Sequence, residues 1–332
     1  MAKYHRIELG SDVFSVRSGR LLLDGALESG VGIPHDCRAG RCGSCAIEVC
    51  HGTTLGGETG SKGVVRACQA RVFSDLKLSI EAIPPSDCVR GTLDECTDLT
   101  ADVVELAITP QSPVTILAGQ YCRFTFNGFP TRCFTPTASL DGRTADGRIR
   151  LQVKRVRQGR VSTNLGGKIG AGHRLTIEGP FGHGFLRPNL QNRLVLVAGG
   201  TGFAPIWAIA DAALRENPLR RIALIAGVRK LSSFYMGRAL DLISRLPNVD
   251  VTATAEEHQT EYCRVRFGDP LAHIPQLLKD DIIYAAGSPA MVKSIGDQAA
   301  DIGATFYSDP FESDATMSED WLTRAIIWLR TG

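Results

Sequence analysis

The chain has 332 residues, 43% hydrophobic and 22% charged, with a formal net charge of +2. That length exceeds one ordinary domain and argues for at least two hydrophobic cores. The charge is too small for a broad nucleic-acid footprint, and no apolar run reaches the ~18 residues of a membrane span.

Residues 1–83 open with strand patterns at Tyr4–Leu9 and Val13–Val16 and a short helical run at Leu21–Ser29 that ends at Gly30. A cysteine-rich loop follows, and the segment closes on the alternating run Leu76–Ile83. Pro84-Pro85-Ser86-Asp87 then suits a linker, placed at 84–91. Residues 92–191 hold short β-patterned runs at Val103–Thr109, Tyr121–Phe126, Ile149–Val156 and Arg174–Glu178, punctuated by Gly and Pro, which predicts an antiparallel barrel. Over 192–311 apolar strands alternate with helical stretches: Leu194–Ala198, Ile206–Arg215, Ile222–Ala226, Ala239–Leu246, Val249–Ala253, Ile282–Ala286 and Met291–Ala300. This alternation predicts βαβ units around a parallel sheet. In the tail, 312–332, apolar residues from Trp321 to Leu329 recur at helical spacing, as in an amphipathic helix that docks on a partner or packs back on its own chain. No repeat of fixed period is present, which excludes solenoids and propellers.

The first ten residues, MAKYHRIELG, have no apolar core or small-residue cleavage site, so a cytoplasmic protein is expected. In that reducing compartment the ten cysteines point to metal ligation or catalysis rather than disulfides. Cys37, Cys42 and Cys45 are spaced C-x4-C-x2-C, and Cys68 follows at a distance. This is the plant-type ligation pattern of a 2Fe-2S cluster, in which Gly40 and Gly43 let the loop turn its N–H groups towards sulfur. A structural zinc site is the alternative, although zinc knuckles usually come as two C-x2-C pairs. Cys50 is read as a buried free thiol outside the ligand set. The segment resembles a plant-type ferredoxin domain, which implies an α+β β-grasp fold; only His35 and Asp36, before the first ligand, depart from the usual residues.

Three further runs extend the resemblance. Arg132-Cys133-Phe134-Thr135 resembles the Arg-x-Tyr-Ser flavin motif of the ferredoxin-NADP reductase superfamily, with Phe and Thr in place of Tyr and Ser. Val153-Lys154 with Gly159, Val161, Ser162 and Thr163 resembles its strand and Gly-x-x-Ser helix start, where flavin phosphates are received; otherwise these residues form a basic edge and an N-cap. Glu178-Gly179-Pro180-Phe181-Gly182 matches the turn that leaves the barrel. Gly199-Gly200-Thr201-Gly202, with Pro205, is similar to the family's nucleotide loop, where glycines let backbone approach a pyrophosphate. Arg229 and Lys230, with no nearby acid in sequence, suit a 2′-phosphate, whereas oxygenase reductases often use NADH; NADH and NADPH both stay open. Gly287, Ser288, Pro289 and Met291 resemble the loop beside the nicotinamide, with Ala286 replacing its usual Cys. Phe311 ends the family's closing Asp-x-Phe and is placed near the flavin or in the core. The histidines, His183, His258 and His273 among them, lack ligand spacing and are read as surface or core residues.

In order, the segments resemble a ferredoxin-fused flavin reductase of bacterial, aromatic ring-hydroxylating oxygenases. The resemblance implies a multidomain chain: a β-grasp ferredoxin domain, an antiparallel β-barrel FAD domain and an α/β parallel-sheet NAD(P)-binding domain. It also implies electron flow from NAD(P)H through FAD and the cluster to a terminal oxygenase, with Thr135, Phe134 and Phe311 nearest the chemistry. The same architecture serves diiron monooxygenases and deoxysugar dehydrases. A redox sensor or zinc-stabilised interaction protein is the alternative from another class.

Overall fold

The computed structural model describes residues 3–59, 63–81, 84–142, 146–257 and 264–311; the tail run from Trp321 to Leu329, His258 and Cys263 lie outside them. Strand β1 (Tyr4–Leu9) turns through Gly10, at φ +60°, into β2 (Asp12–Arg17). Alternation buries His5, Ile7 and Leu9 and leaves Tyr4 and Arg6 outside. Helix α1 (Leu22–Glu28) ends where Gly30 takes φ +75°, which lets the Val31 N–H donate back to the Ala26 carbonyl. β3 (Ala46–His51), β4 (Thr54–Leu55), β5 (Val64–Arg66), β6 (Arg71–Val72) and β7 (Leu76–Ser79) complete this unit. Its larger sheet has the order β2-β1-β7-β3-β5, while β4 and β6 pair separately. β7 runs parallel to β1, with Leu76 opposite Ile7, so the end of the unit is zipped to its beginning. Leu22 and Leu23 of α1 are fully buried against this sheet, a contribution of roughly 1.5–3 kcal/mol each.

The second unit is a six-stranded antiparallel sheet of β8 (Asp87–Asp98), β9 (Val103–Pro110), β10 (Tyr121–Phe126), β11 (Arg132–Phe134), β12 (Ile149–Lys154) and β13 (Arg174–Phe181). Its order is β11-β10-β13-β8-β9-β12, and a bridge between Thr137 and Arg150 brings the chain after β11 onto β12, curling the sheet towards closure. Inward residues such as Leu93, Leu106, Phe124, Phe126 and Leu151 fill the interior. β8 begins at Asp87, inside the stretch 84–91 expected as a linker, because Asp87–Thr92 pair along β13.

The third unit alternates β14 (Leu194–Gly199), α2 (Phe203–Glu216), β15 (Ile222–Lys230), α3 (Gly237–Ile243), β16 (Val249–Glu257), β17 (Val265–Phe267), β18 (Ile282–Gly287), α4 (Pro289–Ile302) and β19 (Thr305–Pro310). All pairings are parallel, in the order β17-β16-β15-β14-β18-β19. β14 is apolar along its length because both faces are covered: Leu194, Leu196 and Ala198 meet α2, while Val195 and Val197 lie on the side of α4. The chain moves one way from β14 to β15 and the other way from β18 to β19. A crevice is thus expected beyond the carboxyl ends of β14 and β18, where strand order reverses.

Candidate functional site

The cysteine loop runs between Ile33 and Ala46 without regular structure. Arg38, Gly40 and Gly43 all have positive φ, +52°, +75° and +69°, so the backbone curls around Cys37. The N–H groups of Ala39, Arg41 and Cys42 each donate to Cys37 Sγ at 3.4 Å. Cys68 comes from the turn after β5 and is fixed beside Cys45 by the Ala67 N–H to Cys45 carbonyl bond of 2.9 Å. Gln69 Nε2 donates to Cys68 Sγ at 3.7 Å and also to the Arg38 carbonyl, closing the turn over the loop. A Cβ on Gly40 would lie 2.7 Å from Gln69 Cγ, so a larger residue there would push the Gln69 side chain off the loop.

The four sulfurs form two pairs. The Cys42 thiol hydrogen-bonds Cys37 and, with the loop N–H groups, pulls Cys37 down to about 4; Cys45 does the same to Cys68, which falls to about 6. Their partners, Cys42 and Cys45, are pushed up by those same bonds and by burial. No three His, Cys, Asp or Glu among the described residues converge on one ion. A cluster with two irons takes two sulfurs on each. The donor set fits 2Fe-2S: Cys37, Cys42, Cys45 and Cys68 would supply the four thiolates, and the inward N–H groups would meet negative sulfur. Cys50 differs from its expectation, being exposed on β3, where a bulge between Val49 and His51 breaks the inward alternation.

In the barrel, β11 sets Phe134 opposite Cys122 and Arg132 opposite Phe124, with the rings of Phe134 and Phe124 6.0 Å apart. Cys133 points to solvent. Thr135 is buried, and its Oγ1 donates to Asp309 Oδ2 of β19 at 3.3 Å. Asp309 lines the crevice with Pro205, Ala286 and Tyr307, and burial raises its carboxyl to about 6 against the opposing Thr135 bond. Val153 is buried, and Lys154 lies 3.6 Å from Asp102. The predicted helix start at Ser162 is one turn of 3-10 helix, Ser162–Asn164, with no side-chain cap. Ser162 Oγ accepts from Val156 N–H at 3.1 Å, and Thr163 Oγ1 donates to the Gly159 carbonyl. Val161 is buried beneath them, so the hydroxyls tie the 156–163 turn together and leave the Ser162 proton free to donate outward.

Around the crevice, Gly199, Gly287 and Met291 meet. A Cβ at Gly287, whose φ is +142°, would be 3.0 Å from both the Gly199 carbonyl and Met291 Cε. Gly202 lies tighter still, since a Cβ there would be 2.2 Å from the Ala286 carbonyl. Gly200 takes φ +57°, and Thr201 shares its turn of 3-10 helix before α2. Ser288 caps α4 by accepting from Met291 N–H, with Pro289 in the first turn. Phe311 is 37% exposed and held beside this loop by its N–H to the Gly287 carbonyl, 2.7 Å. Arg229 and Lys230 end β15, but the acid absent from their sequence neighbourhood is present in space: Glu257 of β16 lies 3.4 Å from Arg229 and 3.9 Å from Lys230. The Asp-x-Phe pattern contains Asp309 but gives it no role, and no local pattern marks Glu257; both depend on which strands lie side by side.

Three family models match in chain order: a 2Fe-2S iron-sulfur cluster binding domain over residues 7–73, an oxidoreductase FAD-binding domain over 90–185 and an oxidoreductase NAD-binding domain over 196–297. The chain is 30% identical to a terephthalate 1,2-dioxygenase reductase component from Comamonas sp., covering 95% of this chain and 99% of that protein. It is 26% identical to a CDP-6-deoxy-L-threo-D-glycero-4-hexulose-3-dehydrase reductase of Yersinia pestis, covering 90% and 95%. Among solved structures, the ferredoxin reductase in carbazole 1,9a-dioxygenase superposes with a TM-score of 0.64 at 25% identity, covering 94% of this chain and 99% of that one. With its paired cysteines, barrel and nucleotide crevice in the matching order, the chain belongs to the ferredoxin-fused, NAD(P)H-dependent flavin iron–sulfur reductases.

Proposed function

We propose that this chain supplies electrons to the terminal component of a multicomponent oxygenase, one of the Rieske type acting on aromatic compounds. Bound FAD would supply the chemistry that converts a two-electron hydride donor into a source of single electrons for the 2Fe-2S cluster. The chain's own residues position and tune: Cys37, Cys42, Cys45 and Cys68 hold iron, Arg132 and the 159–163 turn receive flavin phosphates, and Phe134 packs on the ring. Gly199–Gly202 and Gly287–Met291 seat the nicotinamide nucleotide, with Phe311 at their edge, while Thr135 and Asp309 hold a proton where hydride arrives. The observation that carries this reading is the Thr135–Asp309 bond, which joins the flavin strand to the nucleotide crevice in one chain with a two-pair cysteine loop. No helix among the described residues is long and apolar enough to cross a membrane.

The test is an anaerobic absorbance titration of the holoenzyme with NADH and with NADPH, followed by addition of candidate acceptors. Bleaching of both flavin and iron–sulfur bands is expected, then reoxidation by a Rieske oxygenase. Reoxidation by a diiron protein or a dehydrase alone reassigns the partner, and an inert cluster band overturns the electron path.

A further inference from the structure

Among the described residues, polar contacts join the iron–sulfur unit to the reductase at Asp36, Ser44 and Glu81. Before the first ligand, Asp36 is engaged by Arg123 and Tyr121 of β10. Within the loop, Ser44 Oγ accepts from Gly182 N–H at 2.9 Å, and a Cβ on Gly43 would lie 3.1 Å from His183 Cβ. At the end of the unit, Glu81 receives Arg187 through Nε at 3.0 and 3.1 Å and Nη2 at 2.7 Å.

Arg187 is unlike a surface partner. Its side chain is 7% exposed, with the guanidinium 3.7 Å from the Phe185 ring centroid and 3.8 Å from that of Tyr307. Nη1 donates to the His183 and Phe185 carbonyls, both at 2.6 Å, so the fork is aimed before Glu81 arrives. Nη2 also meets the His183 ring, and burial beside this cation pushes His183 down to about 3, keeping it neutral. The other partners of Arg187 are carbonyls, rings and the Tyr284 hydroxyl, so among the described residues Glu81 is its carboxylate. A buried guanidinium without a counter-charge is strongly unfavourable. The reductase is thus electrostatically complete only when the iron–sulfur unit is seated on it.

We propose that Arg187, by clamping Glu81, is the positioning residue that seats the iron–sulfur unit and fixes the gap that electrons cross on leaving the flavin. Two electrons arrive with each hydride and cross singly, each converting one ferric iron to ferrous and passing to the external acceptor before the next. Transfer falls steeply with distance, so a rigid seat sets its rate. Tyr307, against which Arg187 stacks, lies two residues before Asp309, which ties the seat to the crevice. This inference rests on the electron path proposed above.

The test compares holoenzyme and Glu81→Gln, which keeps shape and removes charge, in anaerobic single-turnover mixing with NADH. Flavin bleaching is expected at the wild-type rate, with iron–sulfur bleaching slowed about tenfold. Hydrogen exchange at the Gly182 amide, which reports seating without any electron, is expected to rise in both Glu81→Gln and Arg187→Lys. Equal cluster rates with unchanged Gly182 exchange overturn the seat. A wild type whose cluster never bleaches overturns the electron path instead, and Gly182 exchange then decides the seat alone.

Discussion

Asp309 has its carboxyl raised to about 6 by burial, with Thr135 opposing. Lifted above the unfolded value of ~3.9, it stays protonated in the folded chain while the unfolded chain has released its proton. The stabilisation is full below about pH 4 and is lost as pH rises through about 6, on the order of 3 kcal/mol for a carboxyl lifted from ~3.9 to about 6. Asp309→Asn should flatten the dependence of Tm on pH across this window, and an unchanged slope would show that the carboxyl titrates normally. Thr135→Val, which removes the hydroxyl, is expected to lower kcat for NADH-dependent dye reduction about tenfold with cluster absorbance intact. Full activity would remove Thr135 from the chemistry. Glu257 bears on the nucleotide. Glu257 ends β16, one strand beyond β15, and by pairing with Arg229 and Lys230 it occupies the two cations that would otherwise favour a 2′-phosphate. NADH should therefore exceed NADPH in kcat/KM, and Glu257→Ala should narrow the ratio about tenfold; a wild type preferring NADPH would overturn this assignment.

At the scale of elements, what was legible in the sequence was what is local. The cysteine spacing and the glycines of the 199–202 loop act within one turn, so residue order alone identifies them. Register is not local. Cys50 faces solvent because of a bulge set by β7, Asp87 joins a strand because β13 pairs with it, and Ser162 tightens a turn instead of opening a helix. The Thr135–Asp309 and Glu81–Arg187 contacts span 174 and 106 positions and follow only from how the units pack. Close packing also reverses an ordinary propensity. Ala normally favours a helix over Gly by roughly 0.5–1 kcal/mol. In α1, however, a Cβ at Gly25 would lie 2.6 Å from Val16 Cγ2. Gly25→Ala is expected to destabilise the first unit by about 1–3 kcal/mol, and adding Val16→Ala should recover part of it. A rise in Tm for the single variant would mean that α1 moves away without penalty.

Across the whole molecule, the three units are not equally joined. The barrel and nucleotide units share a core: Val103 and Leu140 of the barrel lie in the cluster built on β14, β15 and α2. Polar bonds reinforce it, from Trp207 Nε1 to the Ser139 carbonyl, Tyr235 to Gln152 and Thr137 to the Ala204 carbonyl. The iron–sulfur unit has a closed core of its own, which includes Cys45 and Cys68. Among the described residues, polar bonds tie it to the rest at Asp36, Ser44 and Glu81. A metal that binds only the folded state adds its binding free energy to folding, so iron should stabilise the first unit directly and the other two only through the Glu81 clamp on Arg187. Calorimetry of holoenzyme and iron-depleted protein is expected to resolve two transitions, with the one carrying the iron–sulfur band falling on depletion. NADH-dependent dye reduction should survive that first transition, because the shared core holds the flavin strand and crevice together. A single transition that moves as a whole with iron would mean that the seat at Glu81 and Arg187 couples all three units into one cooperative body.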